Sequence, residues 1–318
     1  MLVAPSIHLI KVPLYWGRGE ANVYLIDSSR LTLVDTGTGD GECLRTIERE
    51  MLGLGHRIED LGLIVNTHSH PDHIGGDAEI QRRSHAEIAI HPLEAVALRD
   101  PSKFWAEETA KMKQLITTSG VPKLMERLMT PGLLARGHLG TRASEGTEVS
   151  LLLTESSTID LGLFSLRVVH TPGHTPGHIA LHDPNSGIIF SGDHILQETT
   201  PNVQDLTSFI ESLNKVLRLA PQTALPGHEE LIHEPRRRIL ELLEHHRARE
   251  KAFLNLVKGS RGKTLYQLAS EYWGFLSPRH LTLALREAKA HLAKLAQEGL
   301  VAEEWKGNTV YYLPPEET

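Results

Sequence analysis

The segment Thr67-His68-Ser69-His70-Pro71-Asp72-His73-Ile74-Gly75-Gly76 constrains this chain more than any other. Three histidines and an aspartate fall within six residues, directly after the apolar run Leu63-Ile64-Val65-Asn66, which predicts a short buried strand. His68 and His70 stand two apart in an extended turn, so both imidazoles can reach one side. Pro71 bends the chain, and Asp72 and His73 open a helix facing the same space. Imidazole and carboxylate are ligands that zinc, iron and manganese accept. Four such groups imply more than one metal ion, because a single catalytic zinc usually takes three protein ligands. The alternative is a polar helix cap with chance histidines, and crowding several imidazoles without a metal is unfavourable.

Three further segments carry the same residue types. Val169-His170-Thr171-Pro172-Gly173-His174-Thr175-Pro176-Gly177-His178 repeats a Thr-Pro-Gly-His turn after a strand. Phe190-Ser191-Gly192-Asp193-His194 ends an apolar strand on an aspartate, and Leu225-Pro226-Gly227-His228-Glu229 ends another on a histidine. All lie at strand C-terminal ends, where the loops of one sheet edge converge. Singly they are turn chemistry; their value is joint. The histidine-rich turn leaves a choice among His170, His174 and His178. His182 reads as an exposed or hydrogen-bonded side chain, and His194 is open between that and a role near the site. His8, His56, His85, His91, His138, His233, His245, His246, His280 and His291 fit no metal spacing and are read as surface residues.

These motifs resemble the metallo-β-lactamase superfamily of metal-dependent hydrolases over most of residues 1–244, and the His68–Gly76 segment and His174 turn are similar to those of glyoxalase II. The resemblance implies an α/β fold, a four-layer αββα sandwich. It implies that His68, His70 and His174 hold one metal ion, that Asp72, His73 and His228 hold a second, and that Asp193 bridges them. Asp35, in Leu33-Val34-Asp35-Thr36-Gly37, matches a supporting position. In the histidine-rich turn the resemblance favours His174 as ligand and leaves His170 and His178 as supports. The implied cofactors are two divalent ions, zinc first, with iron or manganese fitting the same ligands. Such a pair lowers the pKa of bridging water toward neutrality, giving a hydroxide nucleophile, and polarises a scissile carbonyl or phosphoryl oxygen. Asp72 could also move a proton.

Along the chain, β-rich runs predict strands over 6–12, 23–26, 31–34, 86–90, 148–154, 163–170, 178–182, 187–191 and 222–225. Helices are expected over 41–52, 205–219 and 234–256. A helical insert over about 92–136 is expected to be cut into short helices at Pro101, Gly120-Val121-Pro122 and Pro131-Gly132. It reads as a lid whose Phe104, Trp105, Met112, Met125 and Met129 either line an apolar pocket or form a helix–helix core. Tyr15-Trp16-Gly17-Arg18-Gly19 is a candidate opposite wall. Residues 1–244 carry a net charge of −10 and residues 245–318 a net of +3, which places a domain boundary near 244. In the tail, a helix at 264–269, an amphipathic helix at 279–298 and a hairpin around Lys306-Gly307-Asn308 make a winged-helix-like module.

The reaction class is hydrolysis. The first expectation is a small acyl substrate, namely a thioester, ester or lactone. The glutathione-binding helical domain and basic cluster of glyoxalase II are not matched. The alternative is an endoribonuclease acting on single-stranded RNA, which the basic tail weakly favours and the acidic first region opposes. A non-catalytic metal-binding regulator is the third reading, opposed by the complete ligand set. The tail is read as a packing or homodimerisation element more than as a nucleic-acid reader. Cys43 is the only cysteine, which excludes an intrachain disulfide and a cysteine-rich zinc site and points to the cytoplasm. No apolar run approaches about 18 residues, so no membrane span is expected, and no signal peptide is read at the start.

Overall fold

A computed structural model of the chain describes residues 1–14 and 19–315. Seven strands form the first sheet in chain order: β1 (Leu2–Ala4), β2 (Ile7–Pro13), β3 (Glu20–Ile26), β4 (Thr32–Val34), β5 (Leu63–Val65), β6 (Glu87–Ile90) and β7 (Val149–Leu152). Pairing is antiparallel from β1 to β4 and parallel from β4 to β7. The second sheet runs β12 (Thr223–Pro226), β11 (Ile188–Gly192), β10 (Ile179–Asp183), β9 (Ser165–His170), β8 (Thr158–Asp160).

Strand alternation divides the apolar side chains between two layers. Tyr24 and Ile26 of β3 point toward the second sheet, where they pack with Leu166, Leu181, Phe190 and Leu225. Val23 and Leu25 point the other way, against Cys43, Ile47 and Met51 of α1 (Gly41–Gly53). The outer face of the second sheet packs Val169, Ala180 and Ile189 on Leu206, Phe209 and Leu213 of α7 (Leu206–Leu219) and Ile239 of α8 (Pro235–Lys258). Helices on both outer faces of two stacked sheets are the expected αββα sandwich.

The remaining helices refine the reading. After β5 come α2 (Pro71–Ile74), with Pro71 at its first position, and α3 (Asp77–Ser84). The insert is α4 (Pro92–Arg99), α5 (Pro101–Thr118) and α6 (Lys123–Ser144). Pro101 and Pro122 separate helices as expected, but Pro131 does not. α6 runs through it to Ser144, because Met129 and Leu133, on either side of the proline, are held in a core with α10, and tertiary packing outweighs the local cost.

The C-terminal residues form α9 (Leu265–Trp273), α10 (Pro278–Gln297) and a three-stranded sheet of β13 (Lys263–Thr264), β15 (Thr309–Leu313) and β14 (Ala302–Lys306). The composition break near 244 lies inside α8, which continues unbroken to Lys258. Ile116 and Met129 of the insert share one core with Phe253, Leu268, Leu285, Leu292 and Tyr312, and Met112 and Met125 pack against it. Of the two roles open to Met112, Met125 and Met129, they take the helix–helix core, joining the insert to the C-terminal module. Trp105 is buried too, donating its indole N–H to Ser144 Oγ at 3.1 Å. Of the proposed opposite wall, Tyr15, Trp16, Gly17 and Arg18 lie outside the described residues. No helix among the described residues is long and apolar enough to cross a membrane.

Candidate metal centre

The loops after β4, β5, β9, β11 and β12 meet at one edge of the sandwich and bring together all seven residues expected to hold metal. His68 Nε2 lies 2.9 Å from His70 Nδ1, which lies 3.0 Å from His174 Nε2. Asp193 Oδ2 is 3.6 Å from His174 Nε2 and 4.0 Å from His68 Nε2. On the other side, His73 Nε2 is 3.3 Å from His228 Nε2, which is 3.5 Å from Asp72 Oδ2. Asp193 Oδ1 faces this second group, 3.5 Å from His73 Nε2 and 3.6 Å from His228 Nε2. One carboxylate thus presents one oxygen to each group of three.

The outward nitrogens are anchored. His73 Nδ1 donates to Asp35 Oδ2 at 2.8 Å, His174 Nδ1 to Asn202 O at 2.8 Å and His228 Nδ1 to Glu20 O at 2.8 Å. These bonds fix the tautomers so that Nε2 lone pairs point inward. Facing lone pairs repel unless a cation sits between them. Asp193 Oδ1 is buried without a hydrogen-bond partner, which is the other half of the same demand.

Electrostatics agree. Burial alone would lower the His228 pKa, but Asp193 and Asp72 outweigh it and push it up to about 9. Burial likewise opposes charge on His73, and Asp193 and Asp35 overcome it and raise its pKa. His68 and His70 go the other way, lowered first by burial and then by neighbouring imidazoles. Burial disfavours the Asp193 anion, yet His228 and His73 keep it well below the usual carboxylate range. Asp35, Asp72 and Asp193 thus create a field that asks for positive charge at the second group. Borderline nitrogen and oxygen donors in this arrangement fit divalent cations.

A family model, described as Metallo-beta-lactamase superfamily, matches residues 16–228. The chain belongs to this superfamily of metal-dependent hydrolases. It is 24% identical over 98% of both chains to "Probable metallo-hydrolase YqjP" of Bacillus subtilis. It is 27% identical to the human "Acyl-coenzyme A thioesterase MBLAC2", covering 70% of this chain and 78% of that one. Among solved structures it is similar to a metallo-beta-lactamase family protein of Thermus thermophilus, TTHA1429, with a TM-score of 0.81, 27% identity, and coverage of 98% of this chain and 100% of that one.

The supporting residues of this metallo-beta-lactamase fold are less evenly foreseen. Asp35 accepts from Thr67 N at 2.8 Å and Thr67 Oγ1 at 2.9 Å as well as from His73, and holds a left-handed φ of 60°. His178 accepts from Asp193 N at 3.1 Å, so it braces the shared carboxylate. His170 does not reach the cluster: its ring stacks on His91 at 4.4 Å and its Nε2 bonds Pro176 O at 2.9 Å. His194 turns away toward Phe209, at 4.7 Å between rings.

Several braces carry no sequence motif. Glu94, buried on α4, accepts from Ser69 N at 2.9 Å and Gly177 N at 2.8 Å, tying the His68–His70 turn to the His174 loop. Asn22 donates to Pro226 O at 2.9 Å and Tyr24 to the same oxygen at 2.7 Å, which fixes the turn before His228. Gly227 is required by space: a Cβ there would lie 2.5 Å from Asp193 Oδ1 and 2.7 Å from His73 Cε1.

Three histidines expected at the surface are buried: His91, His246 and His291. His246 and His291 join Glu287 in a second compact cluster between α8 and α10, with His246 Nδ1 3.4 Å from His291 Nε2 and His291 Nε2 3.4 Å from Glu287 Oε1. Arg249 donates to that same carboxylate oxygen. The guanidinium already supplies the counter-charge, and a metal ion at Oε1 would sit against it. The cluster is therefore described as a buried ion-pair network.

Proposed function

We propose that the chain hydrolyses a thioester of a small acyl group at a centre of two divalent ions, zinc first. The observation that carries the dinuclear reading is Asp193, with one oxygen directed to each group of three ligand atoms. His68, His70 and His174 would hold one ion, and Asp72, His73 and His228 the other. Bound ions would supply Lewis acidity, polarising the acyl carbonyl and making water nucleophilic near neutral pH.

The chain's own residues do the rest. Asp35, Asn202 and Glu20 hold His73, His174 and His228 in the ligand tautomer. Asp72 is half-buried on the open side, where it can pass a proton to the departing sulfur. In balance, a water oxygen bonds the acyl carbon, the carbon–sulfur bond breaks, and a water proton ends on the thiol. The resemblance to a relative named as an acyl-coenzyme A thioesterase supports the thioester over an ester or lactone.

The C-terminal module would be winged-helix-like and would serve packing more than nucleic-acid reading. Supporting this, α10 buries Leu281, Leu285, Ala288, Leu292 and Leu295 against its own chain. Cys43, buried and without a disulfide, agrees with a cytoplasmic home.

The test is a panel of acyl thioester, ester, lactone and labelled single-stranded RNA offered to zinc-loaded protein, with His68→Ala alongside. Thioester hydrolysis that the variant loses supports the reading. RNA cleavage without thioester hydrolysis overturns it.

A further inference from the structure

The peptide group between Asn202 and Val203 is held at both ends. Its carbonyl oxygen receives the His174 Nδ1 proton at 2.8 Å, and its N–H donates to Glu287 Oε2 at 3.1 Å. The peptide is trans, so it is planar and its C=O and N–H point in opposite directions. Fixing the N–H therefore aims the C=O. Asn202 and Val203 belong to no helix or strand, and Val203 is buried, so its N–H has no ladder to join and needs an acceptor from elsewhere. That acceptor comes from α10, 84 residues further along the chain.

The same stretch grips the His174 loop through its backbone. Gln204 N and Asp205 N donate to Gly173 O at 2.7 and 3.1 Å, and Gly173 lies so close to α7 that a Cβ there would be 2.5 Å from Phe209 Cα. The backbone before His174 is thus fixed by one set of bonds and the ring by another. The Glu287 carboxylate divides its two oxygens: Oε1 meets Arg249 and His291, and Oε2 is left for Val203. Burial opposes charge on this carboxyl, and His291 and Arg249 outweigh it and hold its pKa below the usual range. A carboxylate at the N–H end polarises the peptide and strengthens its carbonyl as an acceptor.

We propose that Glu287 is a positioning residue of the metal centre, which orients and polarises His174 through the Asn202–Val203 peptide. Asp35 does this to His73 by direct contact at 2.8 Å; Glu287 does it at one peptide's remove. The Nδ1 proton stays on His174, and what changes is the orientation of the ring and the basicity of Nε2 as a ligand. The ion-pair network between α8 and α10 then has a task beyond stability, because it keeps Glu287 ionised and in place. The inference rests on the assignment of His174 as a metal ligand, and it makes the C-terminal module part of the centre.

The experiment measures the zinc affinity of the full-length protein by competition with a chelator, in wild type, Glu287→Ala, Glu287→Gln, Arg249→Gln and His174→Ala. Both ions should still bind Glu287→Ala when zinc is in excess, but the affinity for one of them should fall about tenfold. Glu287→Gln, whose amide oxygen can accept from Val203 N, should recover part of the loss. Arg249→Gln should lower the urea midpoint as Glu287→Ala does, yet hold both ions within about twofold of wild-type affinity, because the bond to Val203 remains. A second readout is the His174 Nδ1 proton, followed by magnetic resonance in zinc-loaded protein labelled at its histidine nitrogens. Its resonance should move upfield in Glu287→Gln and not in Arg249→Gln. Wild-type affinity in Glu287→Ala, equal loosening of the ion in Arg249→Gln, or an unmoved resonance in Glu287→Gln would overturn the proposal. Should Glu287→Ala fail to fold, the Glu287→Gln resonance decides. If His174→Ala also binds both ions as tightly as wild type, the assignment of His174 as a ligand fails and the proposal with it. If only the Glu287 variants do, that assignment stands and the proposal alone falls.

Discussion

At the sheet edge, Asp35, Asp72 and Asp193 surround histidines, and among the described residues no lysine or arginine pairs with any of the three. Between α8 and α10, Glu287 meets His246 and His291 at similar distances, but Arg249 is bonded to it. Both clusters combine imidazole and carboxylate; the second is fully buried, while His70, Asp72 and His228 of the first are half-buried. They differ in where the positive charge comes from. In the first, the carboxylates raise the proton affinity of His73 and His228 and leave a place for a cation. In the second, burial keeps His246 neutral, its pKa pushed down to about 3, because the guanidinium has already answered the carboxylate. Residue type therefore does not separate a metal centre from an ion-pair network; the counter-charge does.

The largest effect expected from breaking this contrast is at Asp193. Asp193→Ala or His68→Ala should lower metal-dependent hydrolysis more than about 100-fold while circular dichroism reports a folded chain. Full activity in either variant would refute the assignment. At the other cluster the same kind of change should act on stability. Glu287→Ala leaves Arg249 buried without its partner, and urea unfolding should show a loss of about 3–5 kcal/mol. Metal bound per folded chain should stay at the wild-type value.

A smaller effect follows from protonation. The folded pKa of His246 lies below its unfolded value of 6.5, so acid drives the unfolded chain to take up a proton that the folded chain refuses until about pH 3. Its stability contribution is complete above pH 6.5 and is lost as pH falls from there toward 3. The slope of unfolding free energy against pH in that window should be shallower in His246→Gln. The smallest effect is at His170, which stacks on His91 outside both clusters. His170→Ala should change activity by less than about twofold, whereas Glu94→Ala, which frees both turns that Glu94 ties together, should exceed that.

The metal centre was legible from sequence where its chemistry is local. The spacing of His68, His70, Asp72 and His73 marked one segment, the resemblance chose His174 from the histidine-rich turn and added Asp193 and His228, and the fold brings all seven to one edge. The sandwich was legible for a similar reason, since strands such as Tyr24–Ile26 alternate between two cores. Glu94, Asn22 and Tyr24 were not legible, because each acts across a long sequence separation and looks like an ordinary helix or strand residue. His246, Glu287 and His291 escaped because α8 and α10 meet only in three dimensions. The boundary near 244 followed composition, while α8 crosses it, and the insert methionines met the C-terminal core because nothing local in α5 or α6 specifies that partner.

The central claim is that the sheet-edge cluster holds metal and the α8–α10 cluster does not. Metal content per chain, measured by plasma mass spectrometry on protein loaded with excess zinc and then desalted, tests it directly. The account predicts two ions in wild type, two in the His246→Ala, His291→Ala double variant, and fewer than two in Asp193→Ala. A third ion that disappears in the double variant, or a content unchanged by Asp193→Ala, would contradict it.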